Sequence, residues 1–338
     1  MSTPKNTSIK VSIVISVYNA ERRIEDVAKA LLAQRFHDPY EIILVNDGST
    51  DDSHDVLDRL KNKHPKIRVF TQKNKGAAAG RNLGIKNARG EYIVISDDDV
   101  ILEKDWLRKT IPLLKENVKS RKKIGLVHSV IKNNPPEGMT RLQKLMFDYA
   151  LASRDANDRN EGLMFMTNAA RKDVLIDVGL YDEQFDSSGA GADLDLVYRL
   201  MDAGYAIEKT DAKALHLESA ERFALGFFLT KPYSWGKALA KLTLKRSLRR
   251  LHISASALSY PFALLSVIFL IILCIISRYF LLLIPVGMIL YAYMRRKMMK
   301  RLIERKRGIV SMLFLCMMDV IRICIYNLGA MHYYIFRR

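Results

Sequence analysis

The chain has 338 residues, a length that fits one large domain or two smaller ones, and a formal net charge of +18. The excess is unevenly placed: residues 1–221 are neutral, whereas residues 222–338 carry 20 Lys and Arg against only Glu304 and Asp319. Those basic residues alternate with apolar runs of membrane length, which argues against a nucleic-acid binder and for a membrane protein that follows the positive-inside rule.

In chain order, "VSIVISVY" (11–18), "EIILVND" (41–47), "IRVFTQ" (67–72) and "EYIVIS" (91–96) read as short β-branched strands. Between them "ERRIEDVAKALLAQ" (21–34), "DDSHDVLDRLKNKH" (51–64) and "GAAAGRNLGIKNA" (76–88) read as helices. This alternation predicts a Rossmann-like, mostly parallel sheet with helices on both faces. Ligands of such sheets bind outside the carboxyl ends of the strands. Each run ends in polar residues there: Ser16, Tyr18 and Asn19, then Asn46, Asp47 and Gly48, then Asp97, Asp98 and Asp99.

Further along, residues 106–118, 141–156 and 191–205 read as helices, and residues 124–131, 162–171 and 212–219 as strands completing the sheet. The N-terminal "MSTPKNTSIK" has no apolar core, so no signal peptide is expected and the first 220 residues are expected to face the cytoplasm. Three parts are therefore expected. Residues 1–221 form the α/β domain, 222–252 form amphipathic interfacial helices, and 253–338 form a multi-pass membrane domain. Spans are expected near 253–276, 279–296 and 309–336, the last containing Asp319 and Arg322 at helical spacing. Cys274, Cys316 and Cys324 lie in apolar segments and read as small hydrophobic residues.

Three adjacent aspartates at a strand end repel one another unless a cation neutralises them. Hard divalent ions such as Mg²⁺ or Mn²⁺ take one or two carboxylates together with substrate phosphates. Asp97 and Asp99 suit that role, with Asp98 pointing elsewhere in a strand-like geometry.

Five blocks in order carry a resemblance: "SIVISVYNAERRIEDVAKALLAQ", "EIILVNDGSTDDS", "NKGAAAGRNLGIKNARGEYIVISDDDV", "TNAARKDVLIDVGLYDEQF" and "ADLDLVYRLMDAGY". Over residues 11–219 the chain resembles the family 2 glycosyltransferases. The resemblance implies an A-type glycosyltransferase fold and inverting transfer from a nucleotide-diphosphate sugar, GDP- or UDP-linked, with Mn or Mg as cofactor. It assigns Ser16, Tyr18, Asp47, Gly76, Arg81 and Asp97 to the nucleotide. Asp97, Asp99 and His216 go to the metal, Asp193 is the general base, and Asn168 and Asp195 lie at the acceptor. Trp235, in "PYSWGKAL", occupies the place of an acceptor-holding tryptophan motif, but the Gln-x-x-Arg-Trp signature of processive synthases is absent. Ala192 replaces the Glu that usually precedes the base.

The expected activity is thus addition of one sugar to a polyprenyl- or dolichyl-linked acceptor in N-glycan or cell-surface polysaccharide assembly, at the cell membrane and with no nucleic-acid partner. Polyprenyl-phosphate sugar synthesis and small-scale processive synthesis are the alternatives within the same chemistry. An inactive membrane scaffold is the non-enzyme alternative.

Overall fold

The structure, a computed structural model, describes residues 8–115, 123–155, 166–185, 191–245, 300 and 309–335. The expected spans 253–276 and 279–296 lie outside the described residues. The chain divides into two compact units, Met1–Asn134 with Gly162–Glu218, and Pro135–Glu161 with Ser219–Arg338.

The first unit is built on an eight-stranded sheet. Its strands are β1 (Val11–Val17), β2 (Tyr40–Asn46), β3 (Ile67–Thr71), β4 (Tyr92–Asp97), β5 (Val100–Leu102), β6 (Ile124–Asn133), β7 (Thr167–Arg171) and β8 (Ala206–His216), in spatial order β3-β2-β1-β4-β7-β6-β8-β5. β1 to β4 run parallel to one another, β7 runs antiparallel to both neighbours, and β5 runs antiparallel to β8. All seven residues of β2 are buried, as expected of a strand covered on both faces.

Helices α1 (Ile24–Leu32), α2 (Ser53–Lys63), α3 (Ala77–Asn87) and α4 (Trp106–Lys115) supply the cover. In α1, Ile24, Val27, Ala28 and Leu31 recur at one-face helical spacing and are all buried. They join Val56, Leu57, Leu60, Trp106 and Ile111 in one core against Ile13, Ile15, Leu44 and Val94. Each such fully buried aliphatic or aromatic side chain contributes about 1.5–3 kcal/mol. On α3 the helix approaches β1 so closely that side chains are excluded. A Cβ on Gly80 would sit 2.2 Å from the Ser16 hydroxyl, and one on Gly84 would sit 2.3 Å from a Val14 methyl.

The amino ends of the strands are tied by one buried carboxylate. Glu41 accepts hydrogen bonds from the Ser12 hydroxyl at 2.7 Å, the Arg89 amide at 2.7 Å and the Arg68 guanidinium at 2.8 Å. Burial pushes this carboxyl up, but the donors from Arg68, Ser12 and Arg89 outweigh it and hold the group below its ordinary value.

The second unit contains α5 (Arg141–Asp155), a short 3-10 helix (Ala220–Phe223), then a 21-residue and a 27-residue helix. Two further helices of the first unit, α6 (Lys172–Asp177) and α7 (Ala192–Asp202), precede these last two in the chain, so the long helices are α8 (Leu225–Lys245) and α9 (Ile309–Ile335). Residues 141–155, read from sequence as part of the catalytic domain, pack instead with the C-terminal helices: Met146, Phe147, Tyr149 and Ala152 share a core with Phe223, Phe228, Leu315 and Met318. α8 and α9 meet backbone to backbone, since a Cβ on Gly236 would strike the Tyr326 carbonyl and one on Gly329 the Tyr233 carbonyl.

Asp319 and Arg322 both turn inward. Asp319 accepts from the Tyr149 hydroxyl, and the Arg322 guanidinium lies 4.3 Å from the Phe228 ring centre. Segment Phe314–Tyr333 is long and apolar enough to cross a membrane, and among the described residues it stands alone in that.

Two outcomes follow for the first unit, each measured by urea denaturation with Trp235→Phe as background so that Trp106 is the sole tryptophan reporter. Gly84→Val should cost about 1–3 kcal/mol by overpacking against Val14; an unchanged midpoint would sink the close-packing account. Glu41→Gln should cost about 1.5–3 kcal/mol at neutral pH, the scale of a charge-assisted hydrogen bond. Because the folded carboxyl is depressed, that margin is complete above the ordinary value of 4.5 and shrinks as pH falls through the lower folded value. A margin that grows on acidification would contradict it.

Candidate active site

Strand order reverses at β1, which has β2 on one side and β4 on the other. A crevice outside the carboxyl ends of β1 and β4 is the expected ligand position of such a sheet. Ser16 pairs with Asp97 across those two strands, so their ends are level. Beyond them the backbone of β1 enters a loop laced to the one after β2. The Asn19 amide donates to the Ser49 hydroxyl at 3.1 Å, and the Ala20 amide to the Ser53 hydroxyl at 2.8 Å. The Tyr18 ring is left 43% exposed at the rim.

The three aspartates do not continue as a strand. Asp97 ends β4, and Asp98 and Asp99 form a tight turn into β5. The Asp98 carboxylate accepts from the Tyr18 amide at 3.2 Å and from Arg23 at 3.0 Å. Burial lifts its carboxyl to about 6, against the pull of Arg23. Asp99 is 5% exposed and stands 3.3 Å from Nε2 of His216, whose Nδ1 is 2.9 Å from Glu218. The Leu217 amide donates to the Asp99 carbonyl at 2.7 Å, which fixes the turn to the end of β8. Burial would lower the His216 value, but the Asp99 and Glu218 carboxylates raise it to about 9.

Asp97 has a partner of its own in Arg81. Its Oδ1 accepts from Nη2 of Arg81 at 2.7 Å, and Nη1 of the same guanidinium donates to Asp193 Oδ1 at 3.0 Å. Asp193 lies in the first turn of α7, where the helix dipole favours a carboxylate. Burial pushes its carboxyl above the ordinary range, opposed by Arg81 and reinforced by Asp97. The Tyr181 ring lies 5.2 Å from Arg81, and its buried hydroxyl has Asp193, Asn168 and Asp97 as neighbours.

Several expected residues stand differently from their sequence reading. Arg81, expected at the nucleotide, is 5% exposed and engaged with two carboxylates. Asp47 is buried with both oxygens occupied. It accepts from Gln72 at 2.7 Å, the Lys75 amide at 2.9 Å and the Gly76 amide at 2.8 Å, and so shapes the loop into α3 rather than facing outward. Asp195, expected at the acceptor, is fully buried and paired with Arg199 at 2.7 Å. Asn168 is fully buried on β7, opposite Ile95. Trp235 belongs to α8 of the second unit and is 39% exposed. Ala192, in place of the usual Glu, is fully enclosed.

Glu218, Arg23 and Tyr181 were not singled out from sequence. The His-x-Glu spacing at a strand end, which puts both side chains on one face, was the legible signal for Glu218.

Two carboxylates at the crevice suit a hard divalent cation. Among the described residues no three His, Cys, Asp or Glu side chains are grouped to hold a metal by themselves. A cation there would need substrate phosphates and water to complete its shell, and His216 would have to release a proton to join it.

Residues 12–169 match the family model Glycosyl transferase family 2. An uncharacterized glycosyltransferase of Rickettsia felis is 42% identical over 108 residues, 32% of this chain and 18% of that protein. A cholesterol galactosyltransferase of Borreliella burgdorferi is 37% identical over 98 residues, 29% of this chain and 27% of that protein. The chain thus spans well under half the length of either relative. The solved mannosyltransferase PcManGT from Pyrobaculum calidifontis, in complex with GDP-Man and Mn²⁺, superimposes with a TM-score of 0.63 at 16% identity, covering 94% of this chain and 87% of that one. The fold is therefore the A-type glycosyltransferase fold.

The role found for Asp98 is testable by stability. Asp98→Ala removes an acceptor shared by Arg23 and the Tyr18 amide, and should lower unfolding free energy by about 1–3 kcal/mol. An unchanged urea midpoint would mean that the Tyr18 loop does not depend on it.

Proposed function

From a chain whose residues 12–169 are a glycosyl transferase family 2 domain, we propose an inverting glycosyltransferase that moves one sugar from a nucleoside-diphosphate sugar to a hydroxyl of a lipid-linked acceptor. One observation carries the reading: a single guanidinium joins Asp97 to Asp193, two residues along the chain from the Asp99–His216 pair. Donor-side and acceptor-side carboxylates thus converge on one crevice.

The exposed Tyr18 ring offers the nucleotide base a stacking surface, held in place through its amide by Asp98. Asp97 and Asp99 would hold a divalent cation, with His216 beside Asp99, and that ion supplies neutralisation of charge on the departing diphosphate. Asp193, raised in basicity by burial, accepts the proton of the acceptor hydroxyl. The acceptor oxygen forms its bond to the anomeric carbon from the face opposite the diphosphate. The bond from that carbon to the diphosphate oxygen breaks, and nucleoside diphosphate leaves with the electron pair. One displacement inverts the carbon. An ionised phosphate acceptor would need no base, so a positioned Asp193 favours a hydroxyl.

A membrane site of action is supported by α9. Its exposed described positions Met317, Ile321, Leu328 and Met331 are apolar and His332 alone is polar, whereas Asp319 and Asn327 are buried, largely the reverse of a water-facing helix. Under the positive-inside rule the basic stretches 231–250 and 295–307 favour a cytoplasmic catalytic unit. The Borreliella relative is named for a lipid acceptor, and GDP-Man with Mn²⁺ in the Pyrobaculum protein makes them sensible first probes.

The test is transfer by detergent-solubilised protein with Mn²⁺ and a panel of GDP- and UDP-sugars. Asp99→Asn should reduce turnover by about 10²–10³-fold, the scale of losing one key electrostatic contact to developing charge, without lowering the melting temperature by more than a few degrees. Wild-type turnover in the variant would remove the metal role. Failure of the wild type to bind any nucleotide or transfer any sugar would remove the reading itself.

A further inference from the structure

We propose that Arg81 is a positioning residue, which sets the spacing between Asp97 on the donor side and Asp193 on the acceptor side and makes no contact with donor phosphates. The inference rests on the transferase reading above. Its basis is where the donors of the guanidinium go. The Arg81 side chain is 6% exposed, whereas those of Asp97 and Asp193 are 28% and 23% exposed, so the carboxylates are the members that meet solvent and Arg81 lies beneath them. Nη2 is committed to Asp97 and Nη1 to Asp193, and Nε is buried without a protein acceptor. Burial opposes the charge, but Asp193 and Asp97 together hold the guanidinium above its ordinary value.

The planar fork of Arg can address two acids at a fixed separation, which a single ammonium cannot. The fork itself is held. Tyr181 covers it, and the neighbouring residue on α3, Asn82, grips Tyr181 at both backbone groups: the Tyr181 amide donates to Asn82 Oδ1 at 3.0 Å and Asn82 Nδ2 donates to the Tyr181 carbonyl at 2.9 Å. Consecutive residues of one helix therefore fix the guanidinium and the ring above it. The helix is in turn seated on β1 by Gly80 and Gly84.

The experiment measures GDP and UDP affinity by titration calorimetry, with and without Mn²⁺, and kcat and KM for transfer, in Arg81→Lys, Asp193→Asn and the double variant. Arg81→Lys should bind nucleotide within about threefold of wild type and lose about 10²-fold in kcat, the cost of a small misplacement of reacting groups. In the Asp193→Asn background it should add little further loss, because both changes break the same unit. A tenfold or greater loss of nucleotide affinity with kcat kept at saturating donor would overturn the proposal, as would additive losses in the cycle.

The Arg81→Gln/Asp193→Asn variant removes the buried charge and one of its partners together, and guards against misfolding of Arg81→Lys. It should retain wild-type nucleotide affinity, and a tenfold loss there counts against the assignment. If the wild type binds nucleotide but transfers no sugar, the transferase reading fails, while the affinities still decide whether Arg81 touches phosphate.

Discussion

Carboxylates brought together at strand ends must each find a compensating donor, and the rest of the first unit is arranged around that requirement. At separations of about 4 Å and an effective dielectric of about 20, two like charges repel by roughly 4 kcal/mol, more than any single hydrogen bond returns. The chain meets this case by case. Asp98 has Arg23 and the Tyr18 amide, Asp99 has His216, and Asp97 and Asp193 share Arg81. Asp47 is satisfied without a formal charge opposite it, by Gln72 and two backbone amides. The compensators come from the residue that precedes α1, from α3 and from the end of β8, so the crevice is a meeting place of elements far apart in sequence.

Holding those compensators still is a packing problem. Arg81 can reach both acids only if α3 lies low on β1, and Gly80 and Gly84 allow that approach. At the opposite end of the sheet, Glu41 ties Ser12, Arg68 and the Arg89 amide together. The strands are thus clamped at their amino ends, and the functional groups stand on their carboxyl ends. The two ends use the same device, a buried carboxylate with several donors, but only at the crevice do carboxylates keep an edge toward solvent.

The parallel half of the sheet was legible because β1, β2, β3 and β4 are continuous β-branched runs with helices of regular spacing between them. The antiparallel insertion of β7 between β4 and β6 was not, because strand order depends on contacts that a local pattern does not record. Asp97 and Asp99 could be picked out as candidates by residue type at a strand end, and Tyr18, His216 and Asp193 through the family resemblance. Partners could not. Which donor a carboxylate meets depends on the approach of α3 and β8 from elsewhere in the chain, and so the protein partners of Asp47 and Arg81 were not legible. The helix at residues 141–155 has a hydrophobic pattern that fits either unit. Its assignment follows from Tyr149 and Phe147, which pack with Asp319, Phe228 and Phe223.

Ala192 gives the arrangement its particular character. An acidic residue at that position would be a polar neighbour for Asp193, but here the side chain is fully enclosed and carries no donor or acceptor. Orientation of Asp193 must then come from elsewhere. Arg81 meets it directly at 3.0 Å, and the Tyr181 hydroxyl lies among its neighbours. Both are set by the adjacent pair Arg81-Asn82, one through its side chain and the other through the Tyr181 backbone. An alanine beside Asp193 is therefore compatible with an ordered site, because the ordering is done from the helix beneath it and not by the residue next to it.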